Sequence, residues 1–510
     1  MATIYDLPDE ILEYILSLVS PYEDLHSCMS VSKQWRKYVR NVVKIRKRNL
    51  NKCIANFNVN WNTYEPSESN RCIGRRYSHA ATFHDNSMYI FGGCTCSMTT
   101  FNDLWKYDLS KREWIRPLAT GTYPSPKACS SLVNYNNTLV LFGGWTYPPS
   151  YPLYQSCHLF NELHVYDIQN NHWNAVETSL KPPPMAGHSI SVLNNNMIVF
   201  GGLIKREDSV ECEKSNDVWK LNLNNWTWVK QDVHGRRKPD CRFGQTQIVL
   251  NGENILILGG SGGTHSDFWD AWILNMSNEN EWKWIPVEIK GKANKPKNIW
   301  SNPGCKVDDK VVVLNRIQTD TIFPLNTSRS HPEYSKDGPS TSKQPDLDDN
   351  VNGKWGTLRF PNSNEPPIPL LNRGPARIEQ ESYGEMLDDL APPKMLPNHN
   401  KMFLADLSRR KIHYARRQAE AKRKQNRSKH SLGLYVLDLE HATEEKPYVT
   451  WLTPKSFNKG PQETILYTLI EGNSELIMFG GIESDGANIG ALNTPITNSI
   501  HIMSCNISVI

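Results

Sequence analysis

The sequence lacks long apolar runs and a marked excess of charge of either sign. No stretch reaches the roughly 18 to 20 apolar residues that a membrane-spanning helix needs, and residues 1–10 lack the basic and apolar regions of a secretory signal. The 57 basic and 53 acidic residues leave a net charge of +4, which does not favour binding of the whole chain to nucleic acid or to a membrane. We therefore expect a cytoplasmic or nuclear protein with no membrane partner.

Motifs for nucleotide, metal and nucleophile chemistry are also missing. Residues 259–263 are glycine-rich but open no helix pattern, and no Gly-x-Ser-x-Gly motif occurs. The eleven cysteines show no paired spacing typical of a zinc site, and without a secretory signal we expect them to be reduced thiols. The sequence predicts no catalytic residue, no metal and no cofactor.

Five short apolar runs that end in Gly-Gly recur along the chain. They occupy residues 88–93, 139–144, 197–202, 255–260 and 476–481. A pair of turn-forming residues precedes each run, for example Asp85-Asn86, and an alternating segment precedes the turn. Such pairs favour tight β-hairpins. Residues 310–315 extend the pattern to a sixth hairpin that lacks Gly-Gly.

Two further segments follow most of the Gly-Gly pairs. The first ends in an aromatic or aliphatic residue plus Asp or Asn, and the second carries a tryptophan. In three copies the two positions lie six residues apart: Asp108 and Trp114, Asp167 and Trp173, Asn222 and Trp228. This constant spacing predicts a fixed short turn between a third and a fourth strand, so the repeated unit has four strands.

Residues 4–50 carry a helical pattern instead. Apolar residues at helical spacing begin after Pro8, which suits a helix start. Ser20 with Glu23 predicts a capping box, and Ser32 can cap a third helix. About forty residues make a poor independent core, so part of this apolar surface should be covered by the β body or by another protein. The residues alone do not decide between these two coverings.

Both regions resemble known families. Leu7-Pro8-x-Glu10-Ile11-Leu12, then Asp24-Leu25, then Val31-Ser32-x-x-Trp35-Arg36 resembles an F-box, and the four-strand unit resembles the Kelch repeat. The F-box resemblance implies docking onto the Skp adaptor of cullin–RING ubiquitin ligases. The Kelch resemblance implies that each unit is one blade of a β-propeller. The matched positions that we expect to bind the adaptor or to form the core of the F-box are Leu7, Pro8, Ile11, Leu12, Ile15, Leu16, Leu25, Val31 and Trp35.

The fold predicted from these patterns is mainly β, a six-bladed Kelch β-propeller with an N-terminal three-helix F-box and a long, partly disordered insertion. We place the F-box at residues 1–50, the first part of the propeller at 51–323, the insertion at 324–431 and the remainder at 432–510. The last repeat lacks a fourth strand, and residues 54–61 have the character of that strand. We expect them to complete the sixth blade, close the ring and hold the F-box beside the propeller.

Two sets of loop residues are candidates for binding a target protein. Four aromatic residues stand among prolines in one loop, and we predict them as anchors that could equally fold back onto the neighbouring blade: Trp145, Tyr147, Tyr151 and Tyr154. Arg75-Arg76 and residues 236–238 form a basic pair and a basic triplet, which we interpret as solvated loop charge or as sites for acidic motifs. The predicted function is a substrate receptor of a ubiquitin ligase, with a non-ligase scaffold or a propeller enzyme as alternatives.

Overall fold

The computed structural model describes residues 4, 7–66, 72–147, 157–206, 211–235, 237–263, 266–278, 281–297, 299–300, 302–317, 430–455, 459–483 and 495–505. Apart from its last two residues, the predicted insertion at 324–431 lies outside this range. None of the described helices is long and apolar enough to cross a membrane. Within the same ranges, no cluster of three or more His, Cys, Asp or Glu side chains has the arrangement of a metal site.

Three helices form the N-terminal domain: α1 (Asp9–Ser17), α2 (Asp24–Cys28) and α3 (Lys33–Ala55). The Ser32 hydroxyl accepts a hydrogen bond of 3.1 Å from the Trp35 backbone N–H, which confirms the predicted cap of the third helix. The capping box predicted at Ser20 and Glu23 does not form, because α2 begins only at Asp24 and its N-cap makes no side-chain hydrogen bond.

Helix α3 runs five residues past the predicted end of the F-box. Its first half packs on α1, while Leu50 and Ile54 in its last turns lie in a core cluster with propeller residues such as Val312. The boundary expected at residue 50 therefore falls inside a continuous helix. The basic residues at 36–52 lie on this helix, which enters the propeller directly.

The propeller has six four-stranded antiparallel blades with the first strand innermost. Strand β1 (Val59–Tyr64) is the outermost strand of the sixth blade. The other blade strands, innermost first, are β2 (Ala80–His84), β3 (Ser87–Phe91), β4 (Leu104–Asp108) and β5 (Glu113–Ile115) in the first blade; β7 (Ser131–Tyr135), β8 (Thr138–Phe142), β11 (Leu163–Asp167) and β12 (His172–Ala175) in the second; β14 (Ser189–Leu193), β15 (Asn196–Phe200), β18 (Val218–Asn222) and β19 (Thr227–Gln231) in the third; β21 (Thr246–Val249), β22 (Asn254–Leu258), β23 (Ala271–Asn275) and β24 (Trp282–Lys290) in the fourth; β25 (Cys305–Val307), β26 (Lys310–Arg316), β27 (Leu432–Asp438) and β28 (Tyr448–Trp451) in the fifth; and β30 (Thr468–Glu471), β31 (Leu476–Phe479) and β33 (Ile500–Cys505) in the sixth. Short additional strands are β6 (Thr120–Gly121), β9 (Trp145–Thr146), β10 (His158–Leu159), β13 (Met185–Ala186), β16 (Leu203–Ile204), β17 (Glu213–Lys214), β20 (Val233–His234), β29 (Thr464–Ile465) and β32 (Ile482–Glu483).

The repeated sequence features have direct structural causes. Both glycines of each Gly-Gly pair have positive φ, and a Cβ on Gly143 would lie 2.6 Å from the His188 ring of the next blade. The pair therefore lets neighbouring blades approach closely. The Asp108 carboxylate accepts hydrogen bonds from the backbone N–H groups of residues 110 and 111, and Asp167 and Asn222 repeat this turn. This turn explains the constant six-residue spacing to tryptophan.

The ring closes through an N-terminal strand, as predicted, but that strand is β1 at 59–64 and not residues 54–61, since residues 54 and 55 still belong to α3. Strand β1 pairs antiparallel with β33 over six residues, so the outer strand of the sixth blade comes from the start of the propeller region. In the fifth blade, β26 pairs with β27 across the inserted segment, so the insertion lies between the second and third strands of that blade. The end of the long strand β24 also pairs with β28, joining the fourth and fifth blades at their outer edges.

Two of the cysteines, which we expected to be reduced thiols, form a disulfide. Cys53 in the last turn of α3 and Cys505 at the end of β33 form a disulfide with a Cα–Cα distance of 5.7 Å. The prediction that all eleven cysteines are reduced is therefore wrong for this pair. The sequence signal was weak, because 452 residues separate the two positions.

Candidate functional site

The N-terminal domain presents an apolar face on α1. Ile11 and Ile15, one helical turn apart, are 45% and 40% exposed. Leu7 precedes the helix and is also exposed. Because exposed aliphatic side chains in a row are costly in water, this face is suited to binding another protein.

The expected adaptor positions separate into two groups. Leu12, Leu16 and Leu25 are buried in the core of the three-helix domain, so we correct their assignment as possible adaptor contacts. Trp35 packs partly against this core and is only half exposed. The positions left at the surface are Leu7, Pro8, Ile11, Ile15 and Val31. The sequence did not distinguish the two groups, since all are apolar and recur at helical spacing.

The junction between the helical domain and the propeller is extensive. The Tyr22 hydroxyl donates to Glu475 Oε2 at 2.7 Å, and burial together with this carboxylate raises the pKa of the Tyr22 phenol. The Asn51 amide donates to Asp309 Oδ1 at 2.7 Å, and the Asn473 amide donates to the Pro21 carbonyl at 3.2 Å. With the disulfide and the buried end of α3, these contacts hold the two domains in a fixed arrangement.

These contacts place the helical domain on one particular face of the propeller. Residues 309 and 473 lie in the turns between the first and second strands of their blades. The second strand of a blade runs away from this turn, so the loops between second and third strands emerge on the opposite face. The aromatic loop of the second blade and the insertion both follow second strands. The helical domain and the points at which these segments leave their second strands therefore lie on opposite faces.

The aromatic loop is only partly described. Trp145 is 2% exposed and belongs to a buried cluster between the blades, with its ring perpendicular to that of Tyr147 at 4.6 Å. Trp145 therefore stabilises the loop base and does not present its ring to a partner. Tyr147 is half-buried. Tyr151 and Tyr154 lie outside the described residues, and their role as anchors stays a prediction.

The second residue of the basic pair at 75–76, Arg76, forms a buried ion pair inside the first blade. Arg76 is 1% exposed, and its guanidinium binds the Asp103 carboxylate through two hydrogen bonds of 2.6 and 2.9 Å. Burial alone would raise the pKa of Asp103, but the hydrogen bonds and charge of Arg76 outweigh it and hold that pKa below its usual value. Both interpretations of Arg76 from sequence are therefore wrong. Arg75 remains exposed.

The same cation site recurs in other blades, and sequence reasoning missed it. Arg242 binds Asp270 through two hydrogen bonds of 2.6 and 2.9 Å, and the buried Lys127 contacts Glu162 at 2.6 Å. Arg76 and Arg242 also donate to the first carbonyl of their own Gly-Gly pair. The signal that could have revealed the site is a cation 27 or 28 residues before an Asp-x-Trp, which occurs in the first and fourth blades.

Comparison with known families agrees with this architecture. Residues 4–47 match the family model of the F-box domain, and residues 76–284 match the model described as FBX42, beta-propeller domain. The chain is an F-box/Kelch-type protein. The second match, over residues 76–284, supports an F-box/Kelch-type protein close to F-box only protein 42.

The relatives of this F-box/Kelch protein include Kelch domain-containing proteins. It is 25% identical over 246 residues to Kelch domain-containing protein 3 of Rattus norvegicus, covering 47% of this chain and 60% of the relative. It is 27% identical over 240 residues to Kelch domain-containing protein 10 of Homo sapiens, covering 43% of this chain and 50% of the relative. The chain thus spans 60% or less of the length of these relatives. The solved structure titled Structure of YjhT aligns with 84% of this chain and 99% of its own, at 12% identity and a TM-score of 0.45.

Proposed function

We propose that this protein is the substrate-recognition subunit of an Skp–cullin–F-box ubiquitin ligase. The observation that supports this most is the exposed apolar face of α1, on a domain whose own core is already complete with Leu12, Leu16 and Leu25. In this proposal the face binds the Skp adaptor and, through it, the cullin. The chain supplies no catalytic group; it brings a target protein close to a conjugating enzyme, which raises the effective concentration of the target lysine.

The propeller face opposite the F-box is the proposed site for the target protein. The loops that follow its second strands are longer than the two- to four-residue turns between first and second strands on the F-box side, and loops on a rigid scaffold are common binding sites. The fixed junction supports this role, because a rigid connection keeps the target at a constant distance from the adaptor. We also propose that the protein acts in the cytoplasm or the nucleus, with nucleic acid and membranes playing no part.

Substitution of the exposed face tests the proposal. Ile11→Asp combined with Ile15→Asp puts two charges on α1 without entering the core. We expect the purified variant to lose co-purification of both the Skp adaptor and the cullin from cell extracts. Leu12→Asp with Leu16→Asp would be unsuitable, since these buried positions would unfold the domain.

A matched control comes from the propeller rim. Leu118 lies between β5 and β6, is 89% exposed and is remote from the helical domain in sequence, so Leu118→Asp should leave adaptor recovery unchanged. Both variants should keep the far-ultraviolet circular dichroism and unfolding temperature of the parent. Unchanged recovery of adaptor and cullin with the α1 variant would refute the ligase function and favour a scaffold that uses the propeller alone.

A further inference from the structure

A cleft of about 460 Å³ lies at the junction between the F-box and the propeller. This seam cleft is lined on one side by residues of α2 and α3, and on the other by residues 83, 86 and 471–474. The second set lies in or next to the turns between first and second strands of the first and sixth blades. Its volume is within the range of ligand pockets, which often form where two domains meet.

Part of the lining of the seam cleft is apolar. Leu25 and Val39 contribute to it from the buried core of the F-box. Met29 and Phe83 also line the cleft and stay half-buried. Val43 lies one helical turn after Val39, and its side chain is 43% exposed. Apolar side chains that remain accessible in a concave site favour the burial of another apolar group.

The helix on one side of the seam cleft is strongly basic. Helix α3 contains nine Lys and Arg residues and no Asp or Glu, whereas the whole chain has a net charge of only +4. Arg40 and Lys47 are exposed and lie one helical turn on either side of Val43. Neither forms a salt bridge within the described part of the chain. Their charges are therefore available to a partner.

Two further cations of α3 lie beside the cleft and also stabilise the F-box. Arg46 lines the cleft, and its guanidinium donates hydrogen bonds of 2.6 Å to the Ser17 and Val19 carbonyls. Arg36 donates to the carbonyl of Met29, a lining residue, at 3.2 Å. A guanidinium has five N–H donors, so each of these side chains keeps donors that an anion can use.

The lining contains one carboxylate among the described residues, Glu471 at the end of β30. Burial raises the pKa of Glu471, and the positive charge of Lys47 opposes this change. One carboxylate does not balance the four cations of α3 at this site. The seam cleft therefore combines apolar lining with an excess of positive charge.

We propose that the seam cleft binds an acidic protein segment that carries one large apolar residue. In this proposal the apolar side chain lies beside Val43 and Phe83, and flanking carboxylates pair with Arg40 and Lys47. This combination favours a protein over a nucleic acid, because a phosphate backbone would leave the apolar lining uncovered. The proposal goes beyond the ligase function and does not depend on it, since the site requires only the folded chain.

Fluorescence anisotropy with labelled peptides tests the inference on the full chain. The probe is fluorescein-labelled Glu-Glu-Glu-Phe-Glu-Glu-Glu; one control replaces every Glu by Gln, and the other replaces Phe by Ser. We expect the probe to bind at least about tenfold more tightly than either control, and rising salt to weaken it. Equal affinity for the probe and either control would overturn the proposal. Binding of octauridylate RNA as tight as that of the probe would also overturn it, in favour of nucleic acid.

A charge substitution locates the binding on α3. Arg40→Gln combined with Lys47→Gln removes two exposed charges beside the cleft, and Arg48→Gln combined with Lys52→Gln removes two exposed charges of the same helix outside the lining. At about 0.15 M salt, where charges more than about 8 Å apart are largely screened, we expect the first variant to weaken the probe at least about fivefold and the second less than about twofold. Equal effects would contradict the assigned position.

An apolar substitution tests the other half of the site. Val43→Ser removes accessible apolar lining, and Ile45→Ser changes a similarly exposed residue of α3 outside the lining. We expect only Val43→Ser to weaken the probe, by at least about fivefold. If Val43→Ser fails to fold, the charge variant alone decides. Recovery of the Skp adaptor should be unchanged in the charge variant; its loss would assign this surface to the adaptor and overturn the proposal.

Discussion

Replacement of Arg76 by methionine should destabilise the propeller more than replacement of the whole ion pair does. Arg76 donates two hydrogen bonds to Asp103, one of 2.9 Å to the Gly92 carbonyl and one of 3.1 Å to the Gly74 carbonyl. Arg76→Met removes all four and leaves a mostly buried carboxylate without its cation. Breaking a buried pair on one side costs about 3–5 kcal/mol.

The double variant Arg76→Met with Asp103→Leu should recover part of this loss. It removes the unpaired charge and leaves the Trp105 indole N–H, which donates to Asp103 at 2.7 Å, without its acceptor. The residual cost is about 1–3 kcal/mol. Urea unfolding followed by tryptophan fluorescence measures both variants against Arg75→Met, an exposed neighbour that should stay within about 0.5 kcal/mol of the parent.

The pH dependence gives a second measure of the same pair. The pKa of Asp103 is lowered in the folded state, so its contribution is complete above the ordinary value of 3.8 and is lost as pH falls through the folded pKa. The deficit of Arg76→Met should therefore be large at pH 7 and shrink below about pH 4. The reasoning is refuted if Arg76→Met behaves like Arg75→Met, or if the double variant is less stable than the single one.

Three further outcomes can be checked on the full chain. Gly143→Ala should lower the unfolding temperature strongly, because φ is +68° and the new Cβ would lie 2.6 Å from His188, whereas Gly252→Ala, with nothing within 4 Å, should change it little. Burial lowers the pKa of His188 to about 3 in the folded state, so below about pH 6.5 the unfolded state binds a proton that the folded state does not, and the free energy of unfolding should fall. In scanning calorimetry, His188→Phe should reduce the dependence of this free energy on pH by up to about 1.4 kcal/mol per pH unit. An unchanged dependence would contradict the buried neutral ring. A non-reducing proteolytic digest should contain a peptide pair joined through Cys53 and Cys505, and mass spectra showing only the free thiols would contradict the disulfide.

The repeated features of the propeller could be predicted because local chemistry determines them. Turn residues such as Asn136 and Asn137 have the positive φ that a tight hairpin requires, and Asp108 fixes its turn through its own backbone neighbours. Strand β1 was also foreseeable, since the last repeat lacked one strand and the chain offered one candidate. Each of these inferences depends on residues close together in sequence or on a count of repeats.

Features that depend on distant contacts were not accessible in the same way. Arg75 and Arg76 are adjacent and chemically identical, yet one is exposed and the other is buried against Asp103, a residue 27 positions away. Leu12 and Ile11 both fit an F-box pattern, and only the packing of three helices decides which of them faces outward. The end of α3 was missed because its last turns are held by the propeller core and not by helical signals of their own.

The unbroken course of α3 affects how the protein can be divided for experiments. A fragment that starts at residue 51 would cut the helix one turn before Ile54 and discard Leu50, which is fully buried in the cluster that also holds Val312 and Met503. Such a fragment would expose apolar surface from the fifth and sixth blades even though it retains β1. Expression of the propeller alone should therefore start upstream, within α3 before Leu50, with α1 removed and the final turns of α3 kept.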